Sequence, residues 1–153
     1  MTATDESDNR FEAFAEWFGS LEMRHFKAGE FLSYFAARRN GVRNQPPPKP
    51  LWKNIVPTLR VVDDLREHLG KPCHILSSYR CPAYNKAVGG APLSQHLRFN
   101  ALDITFDGVS PVRVHAILTM WRNQGKFRGG LGLYRKSGFV HIDTRANNAD
   151  WEG

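Results

Sequence analysis

Apolar residues recur at helical spacing in several stretches of the chain. The pattern in residues 9–18 predicts a short amphipathic helix, and residues 54–69 predict a longer packing helix. Ser110 followed by Pro111 is typical of a helix start, which predicts a further helix that runs to about Gln124. We expect the apolar side of each helix to face the core.

Shorter stretches beyond residue 70 have the composition or the alternation of β-strands. They are residues 73–79, 101–106, 129–134 and 139–144. The alternation in 101–106 is clear, and it places Asp103 on the face opposite its apolar neighbours. Helices that precede a mixture of strands and helices predict an α+β fold, in which a small antiparallel sheet has helices packed on one face.

The length and the composition fit one folded domain. The chain has 153 residues, of which 41% are hydrophobic, and this is enough for one core. The proline-rich tract at 45–50 predicts an extended connector, because proline fixes φ and lacks an amide donor. We therefore predict an N-terminal helical segment with its connector at 1–49, packed on the same domain as a core at 50–153.

Charge and cysteine content exclude some classes of function. Basic residues number 21 against 15 acidic ones, a formal net charge of +6, and they are scattered along the chain. This distribution favours a solvated basic surface over nucleic-acid binding, because no recognition motif accompanies the charge. The two cysteines, Cys73 and Cys81, are too few for a disulfide scaffold, and free thiols are favoured over a pair.

Histidine and aspartate residues supply the candidate chemistry. A catalytic zinc ion needs three protein ligands and an open position for water. His96 lies seven residues before Asp103, so the two side chains meet only if the chain turns between residues 98 and 101. Alternation in the last strand places His141 and Asp143 on one face, opposite the flanking apolar residues. Each histidine alone is more often structural, so the prediction of a site depends on their combination.

The combination forms a wider pattern. It consists of Ser94-x-His96, Asp103 with Ala101 two positions before it, a distant Gly-x-Gly strand and the segment FVHID. Upstream, the segment SSYRCPAYNKAVGGAPLSQH contains Ser-x-Tyr-Arg, Pro-Ala-Tyr-Asn, Gly-Gly and Ser-x-His. Across residues 50–145 the pattern resembles the zinc D-Ala-D-Ala carboxypeptidase family of peptidoglycan peptidases. That family shares its core fold with the lysostaphin-type endopeptidases and the hedgehog signalling domain.

The resemblance implies roles for individual residues. It makes His96, Asp103 and His141 the ligands of a zinc ion. Arg80 takes the place of the family arginine that reaches a substrate carboxylate or carbonyl oxygen. Ser94 is expected to orient the metal-binding loop or to bind the substrate, rather than to act as a nucleophile. The implied activity is zinc-dependent hydrolysis of peptide bonds in peptidoglycan stem peptides or cross-links, as a carboxypeptidase or an endopeptidase.

Two positions depart from the family pattern. Phe99 stands where many members have glycine, and Gly138 stands where better-known branches have an acidic general base. Asp143 is the nearest substitute for that base, or it holds a ligand histidine in the correct tautomer, and the sequence leaves both roles open. His74 and His115 are further candidates for the site. The missing acid also leaves open a non-catalytic, zinc-containing module of the same fold that binds peptidoglycan.

The expected partner is a peptidoglycan peptide, bound by a monomer. No apolar run approaches the roughly 20 residues of a membrane-spanning helix, so we expect no transmembrane segment. The polar and acidic start of the chain, residues 1–9, lacks the features of a signal peptide. We therefore expect synthesis in the cytoplasm and action on the cell wall after release or export, as for a phage endolysin.

Overall fold

The computed structural model describes residues 3–153, with side chains described from residue 9 onward. Its helices are α1 (Ala3–Ser20), α2 (Gly29–Phe35), α3 (Val56–Leu69), α4 (Pro82–Ala87) and α5 (Pro111–Asn123). Its strands are β1 (Arg38–Arg39), β2 (Val42–Arg43), β3 (Cys73–Ser77), β4 (Ala101–Phe106), β5 (Gly130–Tyr134), β6 (Phe139–Asp143) and β7 (Ala149–Glu152). Short 3₁₀ turns precede α3 and β4, at Lys49–Ile55 and Gln95–Arg98. Within the described residues, no helix is both long enough and apolar enough to span a membrane.

The main sheet has five strands in the order β3-β4-β6-β5-β7. Neighbouring strands are antiparallel, except that β7 runs parallel to β5. The parallel pair arises because the chain reverses after β6 and then crosses to the outer edge of β5. Helices α3 and α5 pack against this sheet. The predicted α+β fold is confirmed, and β7 is an addition that the sequence pattern did not predict.

Most predicted elements agree with the observed ones within a few residues. Strand β4 coincides with the predicted strand 101–106, whereas α1 extends beyond the predicted helix 9–18 at both ends. Residues 21–50, which lack a regular pattern, contain α2 and the hairpin formed by β1 and β2. A helix of 7 residues and strands of 2 residues are too short for hydrophobic periodicity to reveal.

A cluster of aromatic rings joins the N-terminal helices to the rest of the fold. The rings of Phe14, Phe31 and Phe35 pack around that of Phe99, with centroid separations of 5.9, 6.2 and 5.9 Å. All these side chains are fully buried. The contacts cross the predicted boundary at residue 49, and the division of the chain at that point stays a prediction.

Phe99 adopts a left-handed backbone conformation, with φ of 55°. That conformation favours glycine, because a Cβ atom crowds the following carbonyl oxygen. The Phe99 N–H donates a hydrogen bond to the His96 carbonyl oxygen at 3.3 Å. The buried ring therefore anchors the turn that contains His96 to the N-terminal aromatic cluster.

Replacing Phe99 with glycine is expected to lower the free energy of unfolding by about 2–4 kcal/mol, since loss of the buried ring outweighs relief of backbone strain. Phe99→Ala is expected to cost about 1 kcal/mol more, because alanine keeps the left-handed strain. Urea unfolding followed by circular dichroism measures both variants. A glycine variant that is less stable than the alanine variant would show that the left-handed backbone at residue 99 is not strained. Losses below about 1 kcal/mol in both variants would contradict the anchoring role of the ring.

Both cysteines lie inside the fold. Within the described chain, Cys73 and Cys81 are free and buried. Burial raises the pKa of the Cys73 thiol to about 12, so this thiol stays protonated and unreactive at neutral pH.

Candidate metal centre

The pairing of β4 with β6 places Asp103 beside His141. The two residues lie directly opposite each other in the antiparallel register. Because opposite residues of an antiparallel pair point to the same face, the carboxylate and the imidazole meet on one side of the sheet. His141 Nδ1 lies 3.0 Å from Asp103 Oδ1, and both side chains are buried.

His96 reaches the same point from the loop before β4. It lies in the 3₁₀ turn Gln95–Arg98, and the Ser94 Oγ caps this turn by accepting a hydrogen bond from the His96 N–H at 3.2 Å. The chain turns between residues 98 and 101, as the spacing of His96 and Asp103 requires. Loop and sheet together bring the imidazole to the carboxylate.

Side-chain atoms that commonly bind metals converge here. One such atom from each of His96, Asp103 and His141 lies within 4.8 Å of the other two, and all three residues are buried. The structure thus brings together the residues that the sequence singled out as a metal site. Two of them come from adjacent strands and the third comes from a loop, so their positions depend on the fold rather than on a short motif.

The hydrogen bonding of His96 fits a role as a metal ligand. Its Nδ1–H donates to the Ser78 carbonyl oxygen at 2.6 Å, so Nε2 of the neutral ring has the lone pair. Nε2 is buried and lies 3.2 Å from Asp103 Oδ2, but it lacks the alignment of a hydrogen bond and has no other partner in the described chain. A cation bound by both atoms would satisfy a buried nitrogen that is otherwise unpaired.

The protonation states of two of the three cluster residues suit metal binding. Burial lowers the pKa of His96, because desolvation outweighs the attraction of Asp103. Burial acts in the opposite direction on the carboxyl group, but the neighbouring imidazoles of His96 and His141 outweigh it and hold the pKa of Asp103 well below its usual range. A metal ion binds neutral imidazole and ionised carboxylate. His96 and Asp103 are therefore in their ligand forms at neutral pH. Burial tends to lower the pKa of His141, but the carboxylates of Asp103 and Asp143 outweigh it and raise that pKa, so metal binding at this ring releases a proton.

Asp143 contacts His141 on the side away from Asp103. Its Oδ2 lies 2.8 Å from His141 Nε2. The same carboxylate accepts hydrogen bonds from the Gly130 N–H and from the backbone and guanidinium of Arg145, at 2.7 to 3.0 Å. Burial tends to raise the pKa of this fully buried group, but the hydrogen bonds from His141, Arg145 and Gly130 outweigh burial and hold the pKa low. Asp143 is thus an ionised acceptor surrounded by donors.

Arg80 is fixed beside the cluster by hydrogen bonds to neighbouring side chains. Its Nε donates to Ser77 Oγ and its Nη1 donates to Asn85 Oδ1, both at 3.2 Å. Its Nη2 lies 3.6 Å from Asp103 Oδ2. A Cβ atom at Gly90 would overlap Asn85 Oδ1. The second glycine of the Gly-Gly motif therefore makes room for the amide that holds Arg80.

The cluster lies in a cleft of about 510 Å³. Part of the cleft is aromatic, since the ring of Tyr134 stacks on that of Phe139 with centroids 4.4 Å apart. Trp151 Nε1 donates to the Tyr134 hydroxyl at 2.9 Å, and the Arg145 guanidinium lies 5.2 Å from the centroid of the Trp151 ring. We call Tyr134, Phe139 and Trp151 the aromatic wall.

The sequence interpretation missed the aromatic wall and Arg145. The signal for them is the Gly-x-Gly pattern in β5. A Cβ atom at Gly132 would overlap the Trp151 indole, and one at Gly130 would overlap the Asp143 carboxylate. Glycines that alternate along a strand indicate that large groups approach its backbone on that face.

The other predicted candidates lie at different places. Ser94 lines the cleft. His74 and His115 do not join the metal-type cluster found among the described residues: His74 is exposed and contacts Asp107 at 2.8 Å, and His115 lies on α5. Gly138 lies in the turn between β5 and β6 with φ of 81°, a conformation that favours glycine over an acidic residue.

Comparison with known families agrees with this geometry. A family model described as Peptidase M15 matches residues 24–143. Comparison with curated proteins and with solved structures gives no match. The matched range covers most of the chain and includes Arg80 and the whole metal-type cluster. The chain therefore belongs to the peptidase M15 family, a family of D-Ala-D-Ala carboxypeptidase-like zinc metallopeptidases.

Proposed function

We propose that this protein is a zinc peptidase that hydrolyses peptide bonds in peptidoglycan stem peptides or cross-links. The supporting observation is the convergence of His96, Asp103 and His141 in an open cleft, where the buried His96 Nε2 lacks a hydrogen-bond partner within the described chain. Membership of the family supplies the reaction class, which is metal-dependent peptide hydrolysis. The proposal specifies zinc as the metal and peptidoglycan peptides as the substrate.

Charge in the cleft supports an acidic peptide as substrate. The guanidinium groups of Arg80 and Arg145 line the cleft, where Asp103 is the only acid among the described residues of the lining. Arg145 is paired with Asp143, so Arg80 is the group that is placed to meet a substrate carboxylate. Peptidoglycan stem peptides carry free carboxylates, which pair well with guanidinium groups. The aromatic wall offers apolar surface for the rest of the peptide.

The set of donor atoms supports zinc. Two imidazole nitrogens and one carboxylate oxygen are typical of a catalytic zinc site, whereas calcium and magnesium prefer oxygen ligands. Zinc bound to these residues supplies a Lewis acid for the scissile carbonyl and lowers the pKa of a coordinated water.

Arg80 and Ser94 both line the cleft and support the reaction in different ways. Arg80 is fixed with Nη2 close to Asp103, where it stabilises negative charge that develops on a substrate oxygen or binds a substrate carboxylate. Ser94 holds the loop of His96 through its capping hydrogen bond. Both groups are in place before substrate binds, so little reorganisation is required.

Asp143 positions His141 in this proposal rather than acting as a general base. Its oxygens already accept hydrogen bonds from Gly130 and Arg145 and contact His141 Nε2. It is also absent from the described residues that line the cleft. A carboxylate that contacts a ligand histidine fixes the tautomer and the orientation of the ring.

A non-catalytic zinc module that binds the same peptides is the second candidate. Gly138 occupies the position of the acidic general base, and Asp103 is the only carboxylate among the described residues that line the cleft. A module that only binds peptide needs no proton acceptor. This candidate shares the metal site and the substrate class with the first but predicts no product.

The proposed place of action is the bacterial cell wall, because the substrate lies there. The protein reaches the wall after release or export, as a phage endolysin does. We propose that it acts as a monomer, since one chain provides the whole ligand set.

Zinc-loaded protein is expected to release new amines from defined muropeptides, detected as products of lower mass by mass spectrometry. The same protein stripped of metal by a chelator is expected to release none, and added zinc is expected to restore activity. Peptide binding without any product would favour the non-catalytic module. Neither binding nor cleavage by the zinc-loaded protein would overturn both candidates.

A further inference from the structure

A second cavity, of about 480 Å³, adjoins the cleft. Arg80 and Asp103 line the cleft and this cavity alike. Its remaining polar lining comes from outside the metal centre: Tyr34, Arg39, Ser77, Tyr84 and Ser137. We call this cavity the hairpin lobe, because Arg39 belongs to the β1–β2 hairpin. A peptide bound at the metal centre can therefore extend into the lobe as well as into the cleft.

The hairpin lobe is cationic. Arg39 and Arg80 line it, and Asp103 is the only acid among its described lining residues. Asp103 is engaged with the histidines of the metal centre. Arg39 is exposed and forms no salt bridge or side-chain hydrogen bond with any residue from 9 to 153. The positive charge of Arg39 is thus uncompensated within the described chain.

Hydrogen bonds hold the hairpin against the segment that contains Arg80. Asn40 Nδ2 donates to the Ala87 carbonyl oxygen at 2.9 Å. Asn44 Oδ1 accepts from the Cys81 N–H at 3.0 Å. The hairpin therefore has a fixed position at the edge of the lobe, and its arginine is not on a free loop.

Hydroxyl groups lie beside the guanidinium groups in the lobe. Ser77 Oγ donates to the Tyr34 hydroxyl at 3.0 Å and accepts from Arg80 Nε at 3.2 Å. The lobe thus combines guanidinium and hydroxyl donors with a carboxylate that is already engaged. Planar guanidinium groups bind carboxylates through paired hydrogen bonds, so a carboxylate is the ligand group that suits this lining.

We infer that the hairpin lobe is a subsite for a free carboxylate of the substrate peptide, and that Arg39 binds it. The inference rests on the proposed function and specifies a substrate feature for it. The carboxylate belongs either to the C-terminus of the peptide or to a side chain of a stem residue, since both present the same pair of oxygens. The first source makes the enzyme a carboxypeptidase, and the second is compatible with cleavage of an internal bond.

Three forms of one stem pentapeptide test the inference: one with free carboxylates, one amidated at its C-terminus and one amidated at its side-chain carboxylates. Arg39→Ala is expected to weaken binding of the free peptide about tenfold, as expected for loss of one charge-assisted pair. The amidated form that lacks the bound carboxylate should bind the wild type as weakly as the free peptide binds Arg39→Ala. For that amidated form, Arg39→Ala should cause no further loss of affinity. Calorimetry in chelator measures affinity without turnover, and kcat/KM of the zinc-loaded protein should fall by the same factor.

Arg38→Ala is the matched control. Arg38 is an exposed neighbour on the same strand but does not line the lobe, so its loss should leave all the affinities unchanged. Arg39→Lys keeps the charge and should show a smaller loss than Arg39→Ala. Equal behaviour of the two alanine variants, or an equal loss with every peptide form, would overturn the inference. If the proposed function is wrong, the zinc-loaded wild type will cleave none of the peptide forms. The measured affinities test the role of Arg39 independently of that result.

Discussion

Substitution of His96 with alanine is expected to abolish zinc binding and to lower peptide hydrolysis by at least about 10³-fold, because the Lewis-acid contribution of a bound metal amounts to several kcal/mol. His96 Nε2 is the buried atom of the cluster that has no hydrogen-bond partner within the described chain. Its removal leaves Asp103 and His141, which are too few ligands for a catalytic zinc ion. The loss should therefore appear in metal content as well as in activity.

His74→Ala is the matched control for this substitution. His74 is an exposed histidine on β3 that contacts Asp107 outside the cluster. Its loss is expected to leave both zinc content and product formation unchanged. Elemental analysis of the purified variants gives the zinc content, and mass spectrometry of muropeptide digests gives the activity. Wild-type zinc content in the His96 variant, or equal losses in both variants, would show that the metal lies elsewhere.

The candidate ligands could be predicted from the sequence because local patterns agreed with a family resemblance. Strand alternation places Asp103 and His141 on polar faces, and antiparallel pairing of two predicted strands then brings them side by side. The spacing of His96 and Asp103 requires a turn, which the structure contains. The pairing itself joins residues 38 positions apart, so it was the family pattern that identified which side chains meet.

The position of Trp151 in the aromatic wall could not be predicted because it depends on β7, whereas Tyr134 and Phe139 lie on predicted strands. Residues Ala149–Glu152 have no long apolar run, and they become a strand only by pairing with β5 after the chain has crossed to its outer edge. Trp151 reaches the metal centre through that pairing, in the space left by Gly132. The hairpin with Arg39 is similar, since strands of 2 residues leave no periodic signal.

Phe99 illustrates the same limit at the metal-binding loop. Its ring occupies a site formed by Phe14 and Phe31, which lie far earlier in the chain. Phe14 also precedes the matched range 24–143, so part of the support for the loop lies outside the region that the family model describes. A phenylalanine in a left-handed conformation is understandable only with those contacts in view.

Asp143→Ala is expected to lower the free energy of unfolding by about 1–3 kcal/mol, because it removes a buried acceptor from several hydrogen-bond donors while the partly exposed Arg145 can still be solvated. Asp143 is fully buried, and its loss leaves the Arg145 guanidinium and the Gly130 N–H without their acceptor. Zinc affinity is expected to fall about 10–100-fold as well, because His141 loses the contact that fixes its ring. Glu152→Ala is the matched control: Glu152 pairs with Arg135 on the exposed surface, and its loss should cost at most about 1 kcal/mol.

Asp143→Asn separates the positioning role from general-base catalysis, because asparagine keeps the size of the side chain and removes its charge. Positioning predicts weaker zinc binding, with turnover largely recovered at saturating zinc. General-base catalysis predicts unchanged zinc affinity and a turnover about 10²–10⁴-fold lower. Chemical unfolding, zinc calorimetry and muropeptide mass spectrometry provide the three measurements. An asparagine variant that binds zinc as the wild type does but forms no product would show that Asp143 accepts the proton, and the positioning role would then be wrong.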